Sequence, residues 1–277
     1  MKKIKMVGLD LDGTTFNEQK KISAVNRQAI AEAICQGVVV LPATGRPLIG
    51  LPKEMTDIPG VIYAVTSNGG AVYDLRTKET IYTACIPNKK AIAVAKMLMG
   101  LGELPEVYTD GVCYVNAKGY DIVQTYDIPE ALKEYIKVSR IKVDDLIGFL
   151  EETGKDVHKM HVLFDLKKQG ARAAAFEAMK QFEGLNVSSA MPYNMEINSD
   201  KADKGSALIG LGQMLGIERD EIMAIGDAKN DLPMLTKAGF SVAMGNADDD
   251  VKKYADAVTL TNEEDGVAWA LRKWVLE

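Results

Sequence analysis

The chain has 277 residues and 47% hydrophobic content, which suggests one to two domains with a large core. Its formal net charge of -6 and isoelectric point of about 5.2 argue against nucleic acid as the main partner. No apolar run is long enough to span a membrane, and the first one is too short for a secretory signal. Cys35, Cys85 and Cys113 show no ligand spacing, so we expect buried thiols and a cytoplasmic location.

The first third of the chain predicts strands that alternate with helices. Apolar runs at residues 4–9, 38–41 and 61–65 are typical of buried strands. Ser23 is a plausible N-cap for a helix that continues to Cys35. Short apolar strands separated by helical patterns imply parallel strands covered on both faces. We therefore predict an α/β fold with a parallel sheet.

The last third repeats this pattern, whereas the middle of the chain differs. Residues 84–190 combine helical patterns with hairpin-like strands, which predicts an inserted α/β domain. The core domain is then formed by residues 1–83 and 191–277. The last third is expected to contain helices at 204–215, 232–238 and 266–275 and strands at 222–225, 240–243 and 257–260. The insertion is expected to contain helices from residue 88, near 143–151 and near 171–182, and strands at 106–110, 112–116, 157–164 and 185–189.

Two clusters of acidic residues follow apolar runs near opposite ends of the chain. Asp10 and Asp12 come directly after residues 4–9, and Asp227 and Asp231 come after a similar run. In open α/β sheets, ligands bind outside the carboxyl ends of the strands. Like charges are costly to bury together unless a metal ion or a reaction uses them. The two clusters therefore predict one Mg²⁺ site that the fold assembles.

The two acids of the first cluster suit different roles. Asp10, at the end of the strand and facing the metal, is best placed to be a nucleophile that forms a covalent intermediate. Asp12, two residues further in the turning loop, suits a general acid and base that protonates the leaving oxygen and then activates a water. The alternative for both is a pair of loop acids that cap a turn.

Four further residues offer groups that suit a phosphoryl oxygen. The hydroxyl of Thr44 and the backbone N–H of Gly45 follow the second strand. Arg46 either reaches the substrate or forms a structural ion pair. Lys204 opens a helix and could neutralise charge on both the phosphate and Asp10. The ordinary alternatives are a helix N-cap for Thr44 and a solvated charge for Lys204.

The second acidic cluster is expected to complete the site. Asp227 would be a metal ligand, because Mg²⁺ takes oxygen ligands. Asn230 could donate to the phosphate. Asp231 is expected either to bind the metal or to support its ligands and Lys204. The alternative for Asn230 and Asp231 is a capping pair at the start of the next helix.

Together these motifs resemble the haloacid dehalogenase-like hydrolase superfamily. The long insertion between Thr44 and Lys204 further resembles its Cof-type sugar-phosphatase branch. The matching motifs are Asp-Xaa-Asp-Gly-Thr at residues 10–14, the threonine at Thr44, the lysine at Lys204 and Gly-Asp-Xaa-Xaa-Asn-Asp at residues 226–231.

The resemblance implies a Rossmann-like core, Mg²⁺, an aspartyl-phosphate intermediate and hydrolysis of a small phosphorylated metabolite such as a sugar phosphate. It adds the backbone carbonyl of Asp12 as a metal ligand and the backbone of Leu11 as a phosphate contact. The alternatives are a phosphotransferase or phosphomutase on the same core, and an inactive regulatory module. The expected partner is a small phosphate ester, and neither the exact substrate nor the oligomeric state follows from the sequence.

Residues outside the motifs give weaker indications of substrate contacts. In the strand at 157–164, alternation places Lys159 and His161 on the face opposite to three apolar side chains. We expect this to be a plain solvated face, with a role facing the active site as the alternative. Asn68, Glu196 and Asn198 are expected near core strand ends, either at the leaving group or in turn and strand-end roles.

Overall fold

The structure, a computed structural model, describes residues 2–189 and 191–277 and divides the chain into two units. Unit 1 comprises Met1–Arg46, Leu51–Thr83 and Asp203–Glu277, and unit 2 comprises Pro47–Gly50 and Ala84–Ala202. No helix in the described ranges is both long and apolar enough to cross a membrane. Of the three cysteines, Cys113 is buried as expected, whereas Cys85 is half-buried and Cys35 is exposed near the end of its helix.

The secondary-structure elements follow the predicted alternation closely. The strands are β1 (Met6–Leu9), β2 (Val39–Pro42), β3 (Tyr63–Thr66), β4 (Ala71–Asp74), β5 (Glu79–Thr83), β6 (Pro105–Thr109), β7 (Val112–Asn116), β8 (Arg140–Val143), β9 (Lys159–Leu163), β10 (Leu185–Ser188), β11 (Asn194–Ser199), β12 (Ile222–Gly226), β13 (Phe240–Ala243) and β14 (Ala257–Val258). The helices are α1 (Ala24–Cys35), α2 (Lys53–Thr56), α3 (Asn88–Gly100), α4 (Ala117–Val123), α5 (Glu130–Ser139), α6 (Leu146–Thr153), α7 (Ala171–Met179), α8 (Lys204–Met214), α9 (Leu232–Lys237), α10 (Asp249–Lys252) and α11 (Gly266–Leu271).

Unit 1 is built on a five-stranded sheet with the order β14-β13-β12-β1-β2, in which all neighbours are parallel. The predicted α/β class with a parallel sheet is therefore confirmed. β3, β4 and β5 form a separate antiparallel sheet, which a parallel bridge between Ala43 and Val65 joins to the first. The strand expected at residues 61–65 thus extends the parallel sheet only through this bridge.

Both faces of the parallel sheet are covered, as the continuous apolar runs require. On β1, Val7 belongs to one apolar cluster together with residues of α1 and α11, and Met6 belongs to a second cluster with residues of α8 and α9. Gly8 lies on the face of α8, and a Cβ at this position would lie 2.7 Å from a methyl carbon of Leu208. The lack of a side chain at Gly8 therefore allows α8 to pack directly on β1.

Unit 2 contains a six-stranded sheet with the order β10-β11-β9-β6-β7-β8, antiparallel except for the β7–β8 pair. α3, α6 and α7 bury an apolar cluster on one face that includes Met160, Val162 and Phe164. The predicted alternation of β9 is therefore confirmed on this face. α4 and α5 were not predicted from the sequence, and their Val123 and Ile136 pack with Leu163.

The end of the insertion differs between sequence and structure. The sequence placed it at residue 190, whereas unit 2 continues to Ala202. The reason is β11, which pairs with β9 and β10 and so belongs to the sheet of unit 2. Glu196 and Asn198, expected at core strand ends, lie on this strand. The role of residues 84–190 as an inserted domain stays a prediction.

Candidate active site

The carboxyl ends of β1, β2 and β12 lie side by side, because β1 pairs with β2 on one side and with β12 on the other. Leu9 is in register with Pro42 on one side and with Ile225 on the other. The ladder continues past the strand end, because the N–H of Asp10 donates to the carbonyl of Ile225 at 3.0 Å and that of Ala43 donates to Leu9 at 2.7 Å. This register brings the three predicted motif loops to one edge of the sheet.

Lys204 is fully buried between two carboxylates of this edge. Its Nζ donates to Oδ1 of Asp10 at 2.5 Å and to Oδ1 of Asp231 at 2.6 Å. Asp203 fixes the start of α8, because its carboxylate accepts the N–H of Ser206 at 2.7 Å. Burial disfavours the charged form of Lys204, but the attraction of the two carboxylates is stronger and raises its pKa. The solvated-charge alternative for Lys204 is therefore wrong.

Asp10 is buried at the end of β1, with excess negative charge around it. Burial raises the pKa of Asp10 well above its ordinary value, and Asp231 and Asp227 add to the rise, whereas Lys204 opposes it. Among the described residues, the hydrogen bonds to the Asp10 side chain come from Lys204 and engage Oδ1 alone. The second oxygen, Oδ2, thus remains available to a ligand.

Asp227 is held by the loop that follows β1. The hydroxyl of Thr14 donates to Oδ1 of Asp227 at 2.6 Å. Gly13 has a φ of +91°, and a Cβ there would lie 2.4 Å from Oδ2 of Asp227, so the backbone passes directly against the carboxylate. Burial raises the pKa of Asp227 to about 6 despite the bond from Thr14, and Asp231 contributes. Thr14 belongs to the motif at residues 10–14, but no role was predicted for it from the sequence.

Asp231 supports the other acids through all of its contacts. Its Oδ1 accepts from Lys204 at 2.6 Å, and its Oδ2 accepts the backbone N–H groups of Asp227 and Ala228, each at 3.0 Å. Three donors leave this carboxylate little capacity for a metal ion. Of the two predicted roles for Asp231, the contacts therefore favour support of the ligands.

The donor set of this edge fits a hard divalent cation. Asp10, Asp227 and Asp231 each place a carboxylate oxygen within 4.8 Å of the others. The buried Asp10 and Asp231 and the half-buried Asp227 face one buried lysine, and burial together with this excess of negative charge raises the pKa values of Asp10 and Asp227. Mg²⁺ prefers oxygen ligands and needs only one or two carboxylates besides water and phosphate.

Asp12 lies in the same loop but has basic partners. Arg46 donates to both carboxylate oxygens, at 3.0 Å from Nε and 2.9 Å from Nη2, and Lys20 donates to Oδ1 at 3.0 Å. Burial alone would raise the pKa of Asp12, but the bonds from Arg46 and Lys20 lower it below the ordinary value. Asp12 is therefore ionised in this arrangement. The ion pair that was one alternative for Arg46 is present, and Lys20 had no signal in the sequence.

The remaining predicted site residues lie on neighbouring loops. Thr44 is buried, and its Oγ1 accepts the N–H of Arg46 at 3.2 Å, which leaves the hydroxyl hydrogen to be donated. Gly45 follows in the same loop. Leu11 buries its side chain in the core beside Asp10. Asn230 is half-buried in a short 3₁₀ turn, and its side-chain amide makes no hydrogen bond with the described residues.

Unit 2 has a polar face of its own on the side of its sheet opposite α3, α6 and α7. His161 is in register with Glu106 and with Glu196, and its Nδ1 lies 2.9 Å from a carboxylate oxygen of Glu106. Lys159 forms an ion pair with Glu196. Lys159 is 2% exposed and His161 is 6% exposed. The expectation of a solvated face is therefore wrong.

Arg140 completes the buried charges of unit 2. It donates from Nη2 to Oε2 of Glu106 at 2.8 Å and from Nε to Oε1 at 3.2 Å. Its guanidinium also lies 5.2 Å from the centre of the Tyr135 ring. Burial would raise the pKa of Glu106, but the charge of Arg140 and the contact with His161 lower it far below its ordinary value.

Comparisons with known proteins agree with this arrangement of motifs. A chain of Bacillus subtilis (strain 168), 5-amino-6-(5-phospho-D-ribitylamino)uracil phosphatase YcsE, is 31% identical over 99% of this chain and 96% of its own length. A second one from the same organism, 5-amino-6-(5-phospho-D-ribitylamino)uracil phosphatase YwtE, is 32% identical over 96% of each chain.

Solved structures show the same fold over the whole chain. A haloacid dehalogenase-like hydrolase from Bacteroides thetaiotaomicron superposes with a TM-score of 0.82 and 31% identity, covering 98% of this chain and 99% of that one. A family model described as haloacid dehalogenase-like hydrolase matches residues 7–271. These findings confirm the resemblance stated from the motifs, and the chain belongs to the haloacid dehalogenase-like hydrolase family.

Proposed function

We propose that this protein is a Mg²⁺-dependent phosphatase that hydrolyses small phosphorylated metabolites through an aspartyl-phosphate on Asp10. Membership of the family and relatives named as phosphatases establish the enzyme class, and the metal, the intermediate and the substrate class are what is proposed. The observation that carries the proposal is the Asp10 carboxylate, which Lys204 holds by one oxygen at 2.5 Å while the other stays available.

The metal would be held by Asp10 and Asp227, together with the backbone carbonyl of Asp12 that the family resemblance implies. Asp231 would keep Asp227 and Lys204 in place through its three hydrogen bonds. A bound Mg²⁺ would supply positive charge that offsets the charge on the transferring phosphoryl group.

The reaction is a double displacement in which the protons balance. An oxygen of Asp10 attacks phosphorus, and the bond to the leaving oxygen breaks while that oxygen takes a proton from Asp12. Asp12 then accepts a proton from a water molecule, whose oxygen attacks the phosphorus of the aspartyl-phosphate. The bond from phosphorus to Asp10 breaks, which releases phosphate and restores the carboxylate.

Asp12 must carry a proton in the first of these steps, although Arg46 and Lys20 hold it ionised. We infer that Arg46 changes its partner from Asp12 to the phosphoryl group when substrate binds. A phosphate dianion is a stronger partner for the guanidinium fork than one carboxylate. Loss of Arg46 as a partner would raise the pKa of Asp12 and so allow it to act as an acid.

The phosphoryl group would have further donors around it. The Thr44 hydroxyl, the backbone of Gly45 and Leu11, and the amide of Asn230 are the groups proposed to bind its oxygens. Lys204 would neutralise charge on both the phosphate and Asp10. Catalysis of phosphoryl transfer consists mainly of such positioning and electrostatic stabilisation.

The names of two relatives suggest the substrate class, and a panel of phosphorylated metabolites tests it. Two curated relatives act, by name, on a compound that carries a phosphate on a ribityl chain. Flavin mononucleotide carries the same phosphoribityl group, so both compounds belong in a panel with sugar phosphates, erythrose-type phosphates and pyridoxal phosphate. Release of phosphate with Mg²⁺ is the readout. The expectations of a cytoplasmic location and of no nucleic-acid or membrane partner stay predictions.

The mechanism is tested by Asp10→Asn and Asp12→Asn, with Asp74→Asn as a matched control. Asp74 is a buried aspartate of unit 1 that pairs with Arg76 and lies in none of the motifs. Asp10→Asn should abolish turnover, and Asp12→Asn should form the intermediate slowly, only with activated esters. More than a few per cent residual activity in Asp10→Asn would refute the covalent mechanism, and full activity in a chelator would refute the metal. An isomerised sugar phosphate in place of free phosphate would instead indicate a phosphomutase.

A further inference from the structure

Two asparagines outside the four motifs bind the loop at residues 10–16, which carries Asp10 and Asp12. The side-chain amide of Asn246 donates to the carbonyl of Gly13 at 2.8 Å, and that of Asn262 donates to the carbonyl of Phe16 at 2.9 Å. Asn246 follows β13 and Asn262 follows β14. We call these two residues the asparagine clamp.

The two residues of the clamp are joined to each other. The backbone N–H of Asn262 donates to Oδ1 of Asn246 at 3.0 Å. Only one orientation of the Asn246 amide satisfies both of its contacts, because its oxygen must accept from Asn262 and its NH₂ must donate to Gly13. The backbone of one loop therefore orients a side chain that fixes another loop.

The contact at Gly13 leads directly to Asp227. Gly13 and Thr14 share one peptide unit, whose carbonyl is held by Asn246. The hydroxyl of Thr14 donates to Asp227 at 2.6 Å, and Gly13 passes against the other oxygen of the same carboxylate. A rotation of this peptide would therefore move both the Thr14 hydroxyl and the Gly13 backbone relative to the Asp227 carboxylate.

We propose that Asn246 is a positioning residue that sets the Asp227 carboxylate for metal binding through the peptide of Gly13 and the hydroxyl of Thr14. The proposal rests on the proposed function, because Asp227 matters in this way only if it binds Mg²⁺. Asn246 itself touches neither metal nor substrate. Groups that orient metal ligands typically contribute about 10–100-fold to metal affinity.

The test is Mg²⁺ binding by isothermal titration calorimetry, which does not depend on turnover. Asn246→Ala should weaken Mg²⁺ binding by about tenfold, the low end of the range for groups that orient ligands. Asn262→Ala keeps the backbone bond to Asn246 and loses only the contact with Phe16, so its Mg²⁺ affinity should change less than threefold. A kcat measured at saturating Mg²⁺ should recover most of its value in Asn246→Ala.

Asn116→Ala is the matched control in unit 2. The side chain of Asn116 donates to the carbonyl of Asp144 at 2.9 Å and accepts the N–H of Lys118 at 3.0 Å, so it makes the same two kinds of contact at the junction of β7 and α4. Its loss should lower thermal stability without any change in Mg²⁺ affinity.

A double variant tests the route through Thr14. If Asn246 acts through the Thr14 hydroxyl, Asn246→Ala combined with Thr14→Val should bind Mg²⁺ no more weakly than Thr14→Val alone. If the losses of Mg²⁺ affinity in Asn246→Ala and Thr14→Val add in full in the double variant, the route through Thr14 is wrong. An equal loss of Mg²⁺ affinity in Asn262→Ala and Asn246→Ala would show that the loop at residues 10–16 has become generally less ordered, and would also overturn the positioning role of Asn246. If the wild type binds Mg²⁺ and Asn246→Ala binds it with the same affinity, the positioning role of Asn246 is wrong but the proposed function stands. A wild type that binds no Mg²⁺ overturns the proposed function as well.

Discussion

Removal of the Arg140 charge is expected to destabilise unit 2 strongly. Arg140 and Glu106 are 2% and 5% exposed in their side chains, and Arg140 supplies two of the hydrogen bonds to the Glu106 carboxylate. Arg140→Met keeps most of the volume and leaves a buried carboxylate without its main countercharge. Breaking a buried ion pair on one side typically costs about 3–5 kcal/mol.

Urea denaturation at pH 7, followed by far-UV circular dichroism, measures this loss. With a urea m-value of about 2 kcal/mol/M, the expected loss lowers the midpoint by roughly 1.5–2.5 M. Hydrogen exchange of peptides from β6 and β9 should locate the loss, because Glu106 lies on β6 and His161 on β9. Lys96→Met is the control, since Lys96 pairs with Glu151 at the surface, where both side chains are more than half exposed.

The double variant Arg140→Met with Glu106→Leu separates the charge from the packing. Replacing both partners with apolar groups removes the unpaired charge and should restore most of the stability. A midpoint shift in Arg140→Met as small as that in Lys96→Met would refute the reasoning. If the double variant were as unstable as the single one, lost packing of Arg140 on the ring of Tyr135 would be the cause instead.

Three further predictions follow from the described contacts. Lys204→Ala should lower kcat by roughly 10²–10³-fold, the scale of one lost stabilising group, and should raise sensitivity to urea because two buried carboxylates lose their partner. The pKa of Glu106 is depressed in the folded state, so the ionised carboxylate stabilises the fold above its unfolded pKa of about 4.3, and this contribution is lost as the pH falls below that value. The difference in urea midpoint between wild type and Glu106→Gln should therefore shrink from pH 5 to pH 3. A difference that stays constant would contradict a depressed pKa for Glu106. Gly13→Ala should reduce Mg²⁺ affinity and activity, because the new Cβ would lie 2.4 Å from Oδ2 of Asp227. Gly216 also has a positive φ but open space around it, so Gly216→Ala should lower only the stability. Equal losses of activity in the two variants would count against the effect on Asp227.

The positions of the motifs could be predicted because parallel strands end at one edge of a sheet. An apolar run followed by Asp10, and another followed by Asp227, suffice to place both residues at that edge without knowledge of the strand order. The position of Lys204 at a helix start made it only a candidate site residue, because a lysine at such a position is usually solvated. Its burial depends on how closely α8 packs on β1, and the absence of a side chain at Gly8 makes that approach possible.

The polar face of unit 2 could not be predicted in this way. Alternation shows that Lys159 and His161 share a face, but it does not show whether water or other side chains meet them. The partners Glu106 and Glu196 lie on β6 and β11, and only the strand order β11-β9-β6 brings them next to His161. Arg140 lies on β8, three strands away from β9 in the same sheet.

Two features that the sequence-based prediction missed, α5 and β11, have recognisable patterns in the sequence. In α5, Leu132, Tyr135 and Ile136 have the spacing of one helical face after Pro129, a pattern that predicts a helix. The segment that forms β11 was expected in the core, because the insertion was expected to end at residue 190. Its alternation of Met195 and Ile197 with polar residues indicates a strand with one apolar face, which suits the sheet of unit 2 better than the parallel sheet with its continuous apolar runs.

The position of β1 between β12 and β2 has a consequence for the synthesis of the protein. The 194 residues that separate Asp10 from Lys204 take roughly 10–40 s to translate. During that time β1 lacks its neighbour β12, and Asp10 lacks the ammonium group that compensates its charge. Contacts between such distant segments are slow to form. The pairing of β1 with β12 and the contact of Lys204 with Asp10 therefore both wait for the last third of the chain, and a nascent chain without that third lacks both.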